Sequence, residues 1–321
     1  MTKPLVILTH PMPEAWIARL RRETRLVVGP ADVAGVDESL QPYFAAAEGL
    51  LTWLTDRVDD PLLAQMPRLK VVSNLAVGVD NIDLEACTRR GIAVGHTPGV
   101  LTEAVADLTL GLLLAVARGI PTAAEDARRG RWGLWRPDAW LGAEMHGATL
   151  GILGMGQIGQ AVARRGAAFG MRVLYTSRSP KPAVETALGA QRVPWEQLLQ
   201  ESDFLSLHVP LTPETRGLIN ADALRQMKNT AYLINMARGP VVVTDDLVRA
   251  LEKGWIAGAG LDVTDPEPLP PEHPLYRLPQ CLITPHIGSA TQTTRRRMAE
   301  LAVENLLAGL QGRPLPHQAN R

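Results

Sequence analysis

The stretch that decides how this chain is interpreted is Thr149–Lys181, TLGILGMGQIGQAVARRGAAFGMRVLYTSRSPK. A short apolar run predicts a buried strand, three glycines follow it directly, and a helical pattern leads to a second strand at Arg172–Tyr175. In such a unit, Gly154 allows a tight turn, Gly156 lets a ligand approach the backbone, and Gly159 lets helix and strand pack closely. The stretch therefore predicts a Rossmann-type domain that binds a dinucleotide. The competing interpretation is a glycine-rich turn that binds nothing.

The tail of the same stretch discriminates between the two nicotinamide dinucleotides. NAD-binding units usually place an Asp or Glu about 20 residues after the glycines, where it bonds the ribose 2′-hydroxyl. The segment Tyr175–Lys181 contains no acid, and the next one is Glu185. The residues predicted to surround a 2′-phosphate instead are Ser177, Arg178, Ser179 and Lys181. Because arginine binds phosphate with its fork of donors, we expect NADP(H) to be preferred and NAD(H) to be possible, unless these cations are ordinary surface charges.

Length and composition describe an ordinary globular protein of one large or two medium domains. The chain has 321 residues, of which 46% are hydrophobic and 21% charged, and its net charge is zero. A neutral chain gives no reason to expect a nucleic-acid or membrane partner. Cys87 and Cys281 are isolated and lack metal-ligand spacing, so we expect no metal site and a cytoplasmic location. The apolar run Ala104–Ala117 is too short to span a bilayer and predicts a buried helix.

Apolar strands alternate with helical patterns along most of the chain, which predicts parallel α/β sheets. We expect two doubly wound domains: a Rossmann-type cofactor domain and a smaller, flavodoxin-like substrate domain. The expected boundaries are 1–99 plus 289–321 for the substrate domain and 100–288 for the dinucleotide domain. A segment at about 119–147 is rich in charge and tryptophan and predicts a dimerisation arm, unless its tryptophans cap their own domain.

Three charged or titratable residues stand just past predicted strands of the dinucleotide domain: Arg238, Glu267 and His286. In an open parallel sheet, ligands bind outside the carboxyl ends of the strands. Arginine can hold a carboxylate and polarise a carbonyl, histidine can exchange a proton near neutral pH, and glutamate can orient the histidine. Each residue alone has a structural explanation, but together, beside a dinucleotide motif, they predict catalysis of hydride transfer.

A second turn follows an apolar strand in the first domain, at Asn74–Asp80. Its glycine, Gly78, stands where a strand passes into a loop, and backbone N–H groups at such a turn can hold a carboxylate. From the residues alone, a plain turn glycine is the default interpretation.

These residues lie in segments that resemble the D-isomer-specific 2-hydroxyacid dehydrogenase family over essentially the full length. The shared segments are NLAVGVDNID (Asn74–Asp83), GILGMGQIG (Gly151–Gly159), HVPLTPETRGLIN (His208–Asn220), NMARGPVV (Asn235–Val242), GLDVTDPEP (Gly260–Pro268) and PHIGSAT (Pro285–Thr291). Within the family, the chain is most similar to glyoxylate/hydroxypyruvate reductases. The segments of that closer similarity are GHTPGVLTEAVAD (Gly95–Asp107), RGRWGLWRPDAWLG (Arg129–Gly142), LYTSRSPK (Leu174–Lys181) and LPPEHPLY (Leu269–Tyr276).

The resemblance implies a role for each matching residue. Arg238 would bind substrate, Glu267 would pair with the general acid, and His286 would donate the proton. Further substrate-binding positions would be Val77, Gly78, Ser289 and Trp140, the last on the dimerisation arm and reaching a partner's site. Positions implied at the cofactor are Gly154, Gly156, Gln157, Ile158 and Gly159 on the pyrophosphate, Pro210, Met236 and Gly288 in the groove, and Asp262 at the nicotinamide carboxamide.

The implied activity is reduction of glyoxylate to glycolate and of hydroxypyruvate to D-glycerate with NADPH. Alternatives in the same class are a phosphoglycerate dehydrogenase, a D-lactate dehydrogenase or a broad 2-ketoacid reductase. A histidine rather than a tyrosine at position 286 argues against the D-lactate enzyme. An alternative from another class is a cofactor-sensing corepressor of the same fold, which can keep the three catalytic residues.

Overall fold

The computed structural model describes residues 3–320 and divides the chain into two compact units. The first unit comprises the chain up to Leu101 and again from Ala290, and the second comprises Thr102–Ser289. The elements of the first unit are β1 Leu5–Leu8, α1 Glu14–Glu23, β2 Arg25–Val28, α2 Gln41–Phe44, β3 Gly49–Thr52, α3 Asp60–Ala64, β4 Val71–Asn74, α4 Leu84–Arg89 and β5 Ala93–Gly95. The elements of the second are α5 Thr102–Ala117, α6 Ile120–Arg128, β6 Thr149–Leu153, α7 Gln157–Ala168, β7 Arg172–Thr176, α8 Pro182–Leu188, β8 Gln191–Arg192, α9 Trp195–Glu201, β9 Phe204–Leu207, α10 Ala221–Gln226, β10 Tyr232–Asn235, α11 Thr244–Glu252, β11 Gly258–Leu261 and β12 Cys281–Ile283. The last helix, α12 Gln292–Leu310, belongs to the first unit.

In the first unit, the described strands form one parallel sheet in the order β2-β1-β3-β4-β5. This is the flavodoxin-like order. All residues of β1, β3 and β4 are buried, because helices cover both faces of a parallel sheet. The continuous apolar runs that predicted these strands are the sequence signature of that double burial.

The C-terminal helix α12 packs on the sheet of the first unit. The Ser73 hydroxyl donates to the Ala302 carbonyl at 2.8 Å. A Cβ added at Gly309 would lie 2.6 Å from Cβ of Val71, so only glycine allows this close approach. The helix begins directly after Thr291, whose side chain caps it by accepting the Thr294 N–H.

In the second unit, the described strands form a parallel sheet in the order β12-β11-β10-β9-β6-β7-β8. The chain moves outward from β6 in one direction through β7 and β8, and in the other through β9 to β12. The reversal next to β6 is the topological switch point, where open parallel sheets bind ligands at their carboxyl edge. The predicted fold class, with two parallel-sheet α/β domains, is confirmed.

The tryptophan-rich segment after α5 exposes most of its large apolar side chains. Helix α6 buries none of its residues. Beyond it, the exposed fractions reach 66% for Trp132, 77% for Leu134, 76% for Trp135 and 78% for Leu141. Within residues 3–320, no single helix is long and apolar enough to cross a membrane; α5 and α6 pass that test only as a pair, which is bent by 63°.

Candidate active site

The three glycines after β6 have different surroundings. Gly154 has φ of 97°, and a Cβ there would lie 2.7 Å from the His208 carbonyl oxygen. A Cβ at Gly159 would lie 2.1 Å from the Gly154 oxygen. At Gly156 a Cβ would meet nothing within 4 Å. The first and third glycines are therefore required by the protein's own packing, whereas the second borders open space, as expected where a pyrophosphate approaches the backbone.

The start of α7 presents backbone donors beside this open space. Gly156 is the N-cap, and the first amide of the turn that has a helical acceptor is that of Gln160, at 2.9 Å from the Gly156 oxygen. Among the described residues, the amides of Gln157, Ile158 and Gly159 have no acceptor. Donors of this kind at a helix start fit the phosphates of a dinucleotide.

The loop Ser177–Lys181 follows β7 at the same edge of the sheet. Arg178 and Ser179 are exposed, and the Ser177 hydroxyl donates to the Ser179 carbonyl at 2.7 Å. The carboxylate of Glu185 accepts from the Tyr175 phenol, and burial, more than this bond, raises the pKa of Tyr175. Glu185, the acid nearest to this loop in the sequence, therefore forms a hydrogen bond with the buried Tyr175 phenol.

Arg238 lies on a loop that the protein holds rigidly after β10. The Asn235 side chain accepts the Ala237 N–H and donates to the Arg238 carbonyl, both at 3.0 Å. A Cβ at Gly239 would lie 1.8 Å from the Thr264 oxygen, so this loop abuts the one that leads to Glu267. Arg238 is partly buried, and its Nη1 donates to the Ala237 carbonyl at 2.9 Å. Backbone packing therefore fixes where this guanidinium emerges.

Glu267 and His286 form a close pair. Nδ1 of His286 lies 2.6 Å from Oε1 of Glu267, and the side chains of His286 and Glu267 are 25% and 33% exposed. A carboxylate beside Nδ1 keeps a proton on that nitrogen, so Nε2 is the nitrogen that can exchange a proton: the imidazolium can donate it and the neutral ring can accept it. The Glu267–His286 pair that the sequence predicted is therefore present in the structure.

The backbone of His286 is strained, and Asp262 holds it. His286 has φ of 51°, a conformation that side-chain-bearing residues rarely adopt, and its N–H donates to the Asp262 carbonyl at 2.9 Å. The buried Asp262 carboxylate accepts the Thr284 hydroxyl at 2.6 Å, the Ile287 N–H at 2.8 Å and the Gly288 N–H at 2.7 Å. Asp262 thus organises the histidine loop, a role in addition to the cofactor contact that its sequence match implies.

The remaining predicted residues of this unit lie at several places. Met236, Gly288 and Ser289 are buried, and a Cβ at Gly288 would lie 3.4 Å from Cε of Met236. Pro210 is exposed, three residues beyond β9. Trp140 is 42% exposed with φ of 49°, and its Nε1 donates to Asp126 at 3.1 Å. That hydrogen bond, ahead of the contact with Arg131, lowers the pKa of Asp126.

In the first unit, side chains hold the turn that contains Val77 and Gly78. The Val77 carbonyl accepts from Nδ1 of His96 at 2.9 Å, and the Gly78 carbonyl accepts from Nδ2 of Asn74 at 2.9 Å. Asn74 is fully buried and also accepts the Thr52 hydroxyl at 3.1 Å. Across residues 3–320, no acceptor is found for the amides of Val77 and Gly78. The carbonyls of Val77 and Gly78 therefore already have donors, whereas their amides are available. A turn that binds an anion requires this arrangement.

Sequence reasoning missed the residues that position these groups. His208 follows β9 and supplies the oxygen on which Gly154 packs. Its Nδ1 is shielded from solvent and has no partner among the described residues, Nε2 contacts the Ser206 hydroxyl at 2.8 Å, and burial lowers the pKa to about 3. Asn235 and Asn74 were also missed as supports. An asparagine at the end of an apolar strand is the one signal that both share.

The described residues contain no group of three or more His, Cys, Asp or Glu side chains suited to a metal ion. Cys87 is buried and Cys281 partly buried, and burial raises their pKa values to about 11 and about 12. Neither thiol is therefore placed for nucleophilic chemistry.

Known proteins share this architecture and these motifs. The NAD binding domain of D-isomer specific 2-hydroxyacid dehydrogenases matches residues 110–288. The glyoxylate reductase of Aeropyrum pernix is 52% identical over 288 residues, which cover 88% of this chain and 86% of that protein. A protein from Thermus thermophilus has a crystal structure with a TM-score of 0.92 at 52% identity, covering 98% of this chain and 99% of that one.

A further solved structure is that of an NADPH-dependent glyoxylate/hydroxypyruvate reductase from Sinorhizobium meliloti, in complex with NADP and malonate. It has a TM-score of 0.86 at 34% identity and covers 99% of this chain and 97% of that chain. These similarities extend over both units, including the segments that carry the dinucleotide turn and the Glu267–His286 pair. The chain belongs to the D-isomer specific 2-hydroxyacid dehydrogenase family.

Proposed function

We propose that this protein is an NADPH-preferring reductase of small 2-oxo acids, with glyoxylate and hydroxypyruvate as substrates and glycolate and D-glycerate as products. The observation that carries the proposal is the 2.6 Å contact between His286 and Glu267 at the sheet edge that bears the dinucleotide turn. It is supported by relatives named for these activities.

The chain's own residues divide the work of the reaction. When bound, the reduced nicotinamide supplies the hydride that reaches the carbonyl carbon. Arg238 binds the substrate carboxylate and stabilises the negative charge that develops on the carbonyl oxygen. His286, oriented by Glu267, protonates that oxygen from Nε2. The amides of Val77 and Gly78 hold the carboxylate, and Ser289 contributes a hydroxyl to the substrate.

The cofactor would be held by residues that follow β6, β7, β9, β10, β11 and β12. The amides at Gly156–Gly159 would bind the pyrophosphate, and the Ser177–Lys181 loop would bind the 2′-phosphate. Pro210, Met236 and Gly288 would line the groove, and Asp262 would contact the nicotinamide carboxamide. We expect Arg178→Asp to reverse the preference from NADPH to NADH, because a carboxylate repels a 2′-phosphate. An unchanged ratio of the two kcat/KM values would remove Arg178 from this role.

We also propose that the protein is a homodimer in the cytoplasm. The support for the dimer is the apolar surface of Trp132, Leu134, Trp135 and Leu141, which a second copy would cover, with Trp140 at the partner's site. The support for the compartment is a pair of unbridged cysteines. Trp135→Glu should shift the sedimentation coefficient from dimer to monomer.

The deciding experiment is a comparison of kcat/KM for glyoxylate, hydroxypyruvate and pyruvate with NADPH and with NADH, followed by loss of absorbance of the reduced cofactor. We expect glyoxylate with NADPH to give the highest value. Turnover of pyruvate alone would instead make this a D-lactate type enzyme. Cofactor binding without turnover of any 2-oxo acid would overturn the proposal and leave a cofactor-sensing protein.

A further inference from the structure

The edge strand β8 carries an arginine that reaches back to the cofactor loop. Arg192 lies opposite Tyr175 in the parallel pairing of β8 with β7. Its Nη2 donates to the Ser177 carbonyl at 2.9 Å and to the Arg178 carbonyl at 3.4 Å, and its Nε donates to the Ser177 carbonyl at 3.2 Å. One guanidinium therefore holds two successive carbonyls of the loop.

Holding these carbonyls determines where the following amides point. In a trans peptide the N–H is directed opposite to the C=O of the same unit. Because the carbonyls of Ser177 and Arg178 face Arg192, the amides of Arg178 and Ser179 are directed to the other side of the loop. In the part of the chain that the structure describes, neither amide has an acceptor. Two successive amides with a common direction form an anion-binding nest.

The far end of the loop is fixed from beneath in the same way. The Tyr175 hydroxyl accepts the Lys181 N–H at 2.8 Å and is itself bound to Glu185. The Thr176 hydroxyl donates to the Val193 carbonyl at 2.7 Å, which fastens β7 to the residue after Arg192. The loop is thus held by buried and edge-strand groups; within it Arg178 is exposed and Lys181 is partly exposed.

The charges around the loop favour a dianion. Arg178, Lys181 and Arg192 are cations. Glu185 accepts the hydrogen bond of the Tyr175 phenol, and Glu214 is an acid close enough for its pKa to be affected by Arg178. The pKa of Glu214 is lowered chiefly by a hydrogen bond from Thr212 and to a lesser degree by the charge of Arg178.

We infer that Arg192 is a positioning residue for recognition of the adenosine 2′-phosphate: it turns the Ser177 and Arg178 carbonyls away from the ligand and the Arg178 and Ser179 amides toward it. The inference rests on the proposed preference for NADPH. Arg192 acts through the loop and takes no part in hydride or proton transfer. Its removal therefore affects only ligands that carry a 2′-phosphate.

The test compares Arg192→Met and Arg192→Lys with the control Arg172→Met. Arg172 stands at the other end of β7, pairs with Glu201 at 2.8 Å, and loses the same charge on substitution. Calorimetry measures the Kd of adenosine 2′,5′-bisphosphate and of 5′-AMP, two ligands that differ only in the 2′-phosphate. Steady-state kinetics measure KM and kcat with NADPH and with NADH.

We expect Arg192→Met to raise the Kd of the bisphosphate and the KM for NADPH about tenfold, equivalent to ~1.4 kcal/mol. The Kd of 5′-AMP, the kinetic constants with NADH and the kcat with NADPH should stay within about twofold, as should every constant of Arg172→Met. Arg192→Lys keeps the charge but cannot bridge two carbonyls, so it should recover only part of the loss.

Each result separates this inference from the proposed function. If the wild type prefers the bisphosphate and Arg192→Met keeps that preference, the inference is wrong and the proposed function stands. Full recovery by Arg192→Lys would also overturn it, because charge alone would then suffice. If the wild type itself binds the bisphosphate no more tightly than 5′-AMP, both the NADPH preference and the role of Arg192 fall.

Discussion

The two sheets present backbone amides at their carboxyl edges by different means. After β6, main-chain geometry alone leaves the amides of Gln157 and Ile158 without acceptors, because they open a helix. After β4, the amides of Val77 and Gly78 are available because His96 and Asn74 occupy the carbonyls of the turn. The turn after β6 requires glycines at fixed spacing, so it can be recognised in a sequence. The turn after β4 requires only side chains from other positions in the same unit.

The largest effect is expected from a change that leaves both amide sites intact. His286→Ala removes the proton donor, and kcat should fall about a thousandfold, within the range for loss of a general acid. The Kd of NADPH, measured by fluorescence titration, should change less than about twofold, because the amides that hold the cofactor are untouched. A kcat close to that of the wild type would exclude His286 from proton transfer.

The glycine turn after β6 can be tested at Gly156, where the backbone borders open space. Gly156→Ala adds a methyl where the protein has nothing within 4 Å, so thermal stability should be unchanged. The methyl occupies the space through which the pyrophosphate approaches, and the Kd of NADPH should rise at least about tenfold. Gly111→Ala is the matched control, since Gly111 also borders open space but lies within α5. Equal NADPH affinity of both variants would show that the turn at Gly156 does not contact the cofactor.

The turn after β4 can be tested at Asn74, whose side chain holds the Gly78 carbonyl. Asn74→Asp replaces the donor that holds the Gly78 carbonyl with an acceptor that repels it. The turn should shift, and the KM for glyoxylate should rise about tenfold while the Kd of NADPH is unchanged. Asn220→Asp is the control, because Asn220 caps α10 with its side-chain oxygen, a role that aspartate fills equally well. An unchanged KM would separate this turn from substrate binding.

The difference between requirements of the main chain and contacts of side chains also explains how much of the fold could be predicted. The predicted alternation of strands and helices is present, and the strand predicted at Arg172–Tyr175 ends one residue later, at Thr176. Strands that are buried on both faces appear in the sequence as continuous apolar runs. The two-residue strand β8 was missed, since Gln191 and Arg192 are exposed and carry no apolar signal. Helix α6 was also missed as a helix: its residues fall in the segment interpreted as a dimerisation arm, and none of them is buried.

The candidate site could be predicted where residues with reactive side chains follow the strands of the sheet. Arg238, Glu267 and His286 follow three neighbouring strands, so their shared edge follows from the topology. Arg192 acts through bonds to the Ser177 and Arg178 carbonyls, which only the folded structure brings near. Asn235 bonds backbone atoms two and three residues away, and His208 supplies the carbonyl oxygen on which Gly154 packs. Nothing in the local sequence of His208 or Arg192 distinguishes them from other core or surface residues, whereas Asn235 shares with Asn74 a position at the end of an apolar strand. For this reason, the candidate catalytic side chains could be found in the sequence, and the side chains that hold their loops could not.

The smallest expected effect concerns the support beneath the glycine turn. Burial lowers the pKa of His208 to about 3, whereas the pKa of histidine in an unfolded chain is about 6.5. Between these values the unfolded chain binds more protons, so the free energy of unfolding should fall as the pH drops from 6.5 toward 3. His208→Gln should reduce the difference between urea-unfolding free energies at pH 7.5 and at about pH 5.8 by about 1 kcal/mol. His317→Gln, which replaces an exposed histidine, should leave that difference unchanged, and equal pH dependence in both variants would show that His208 does not have the lowered pKa.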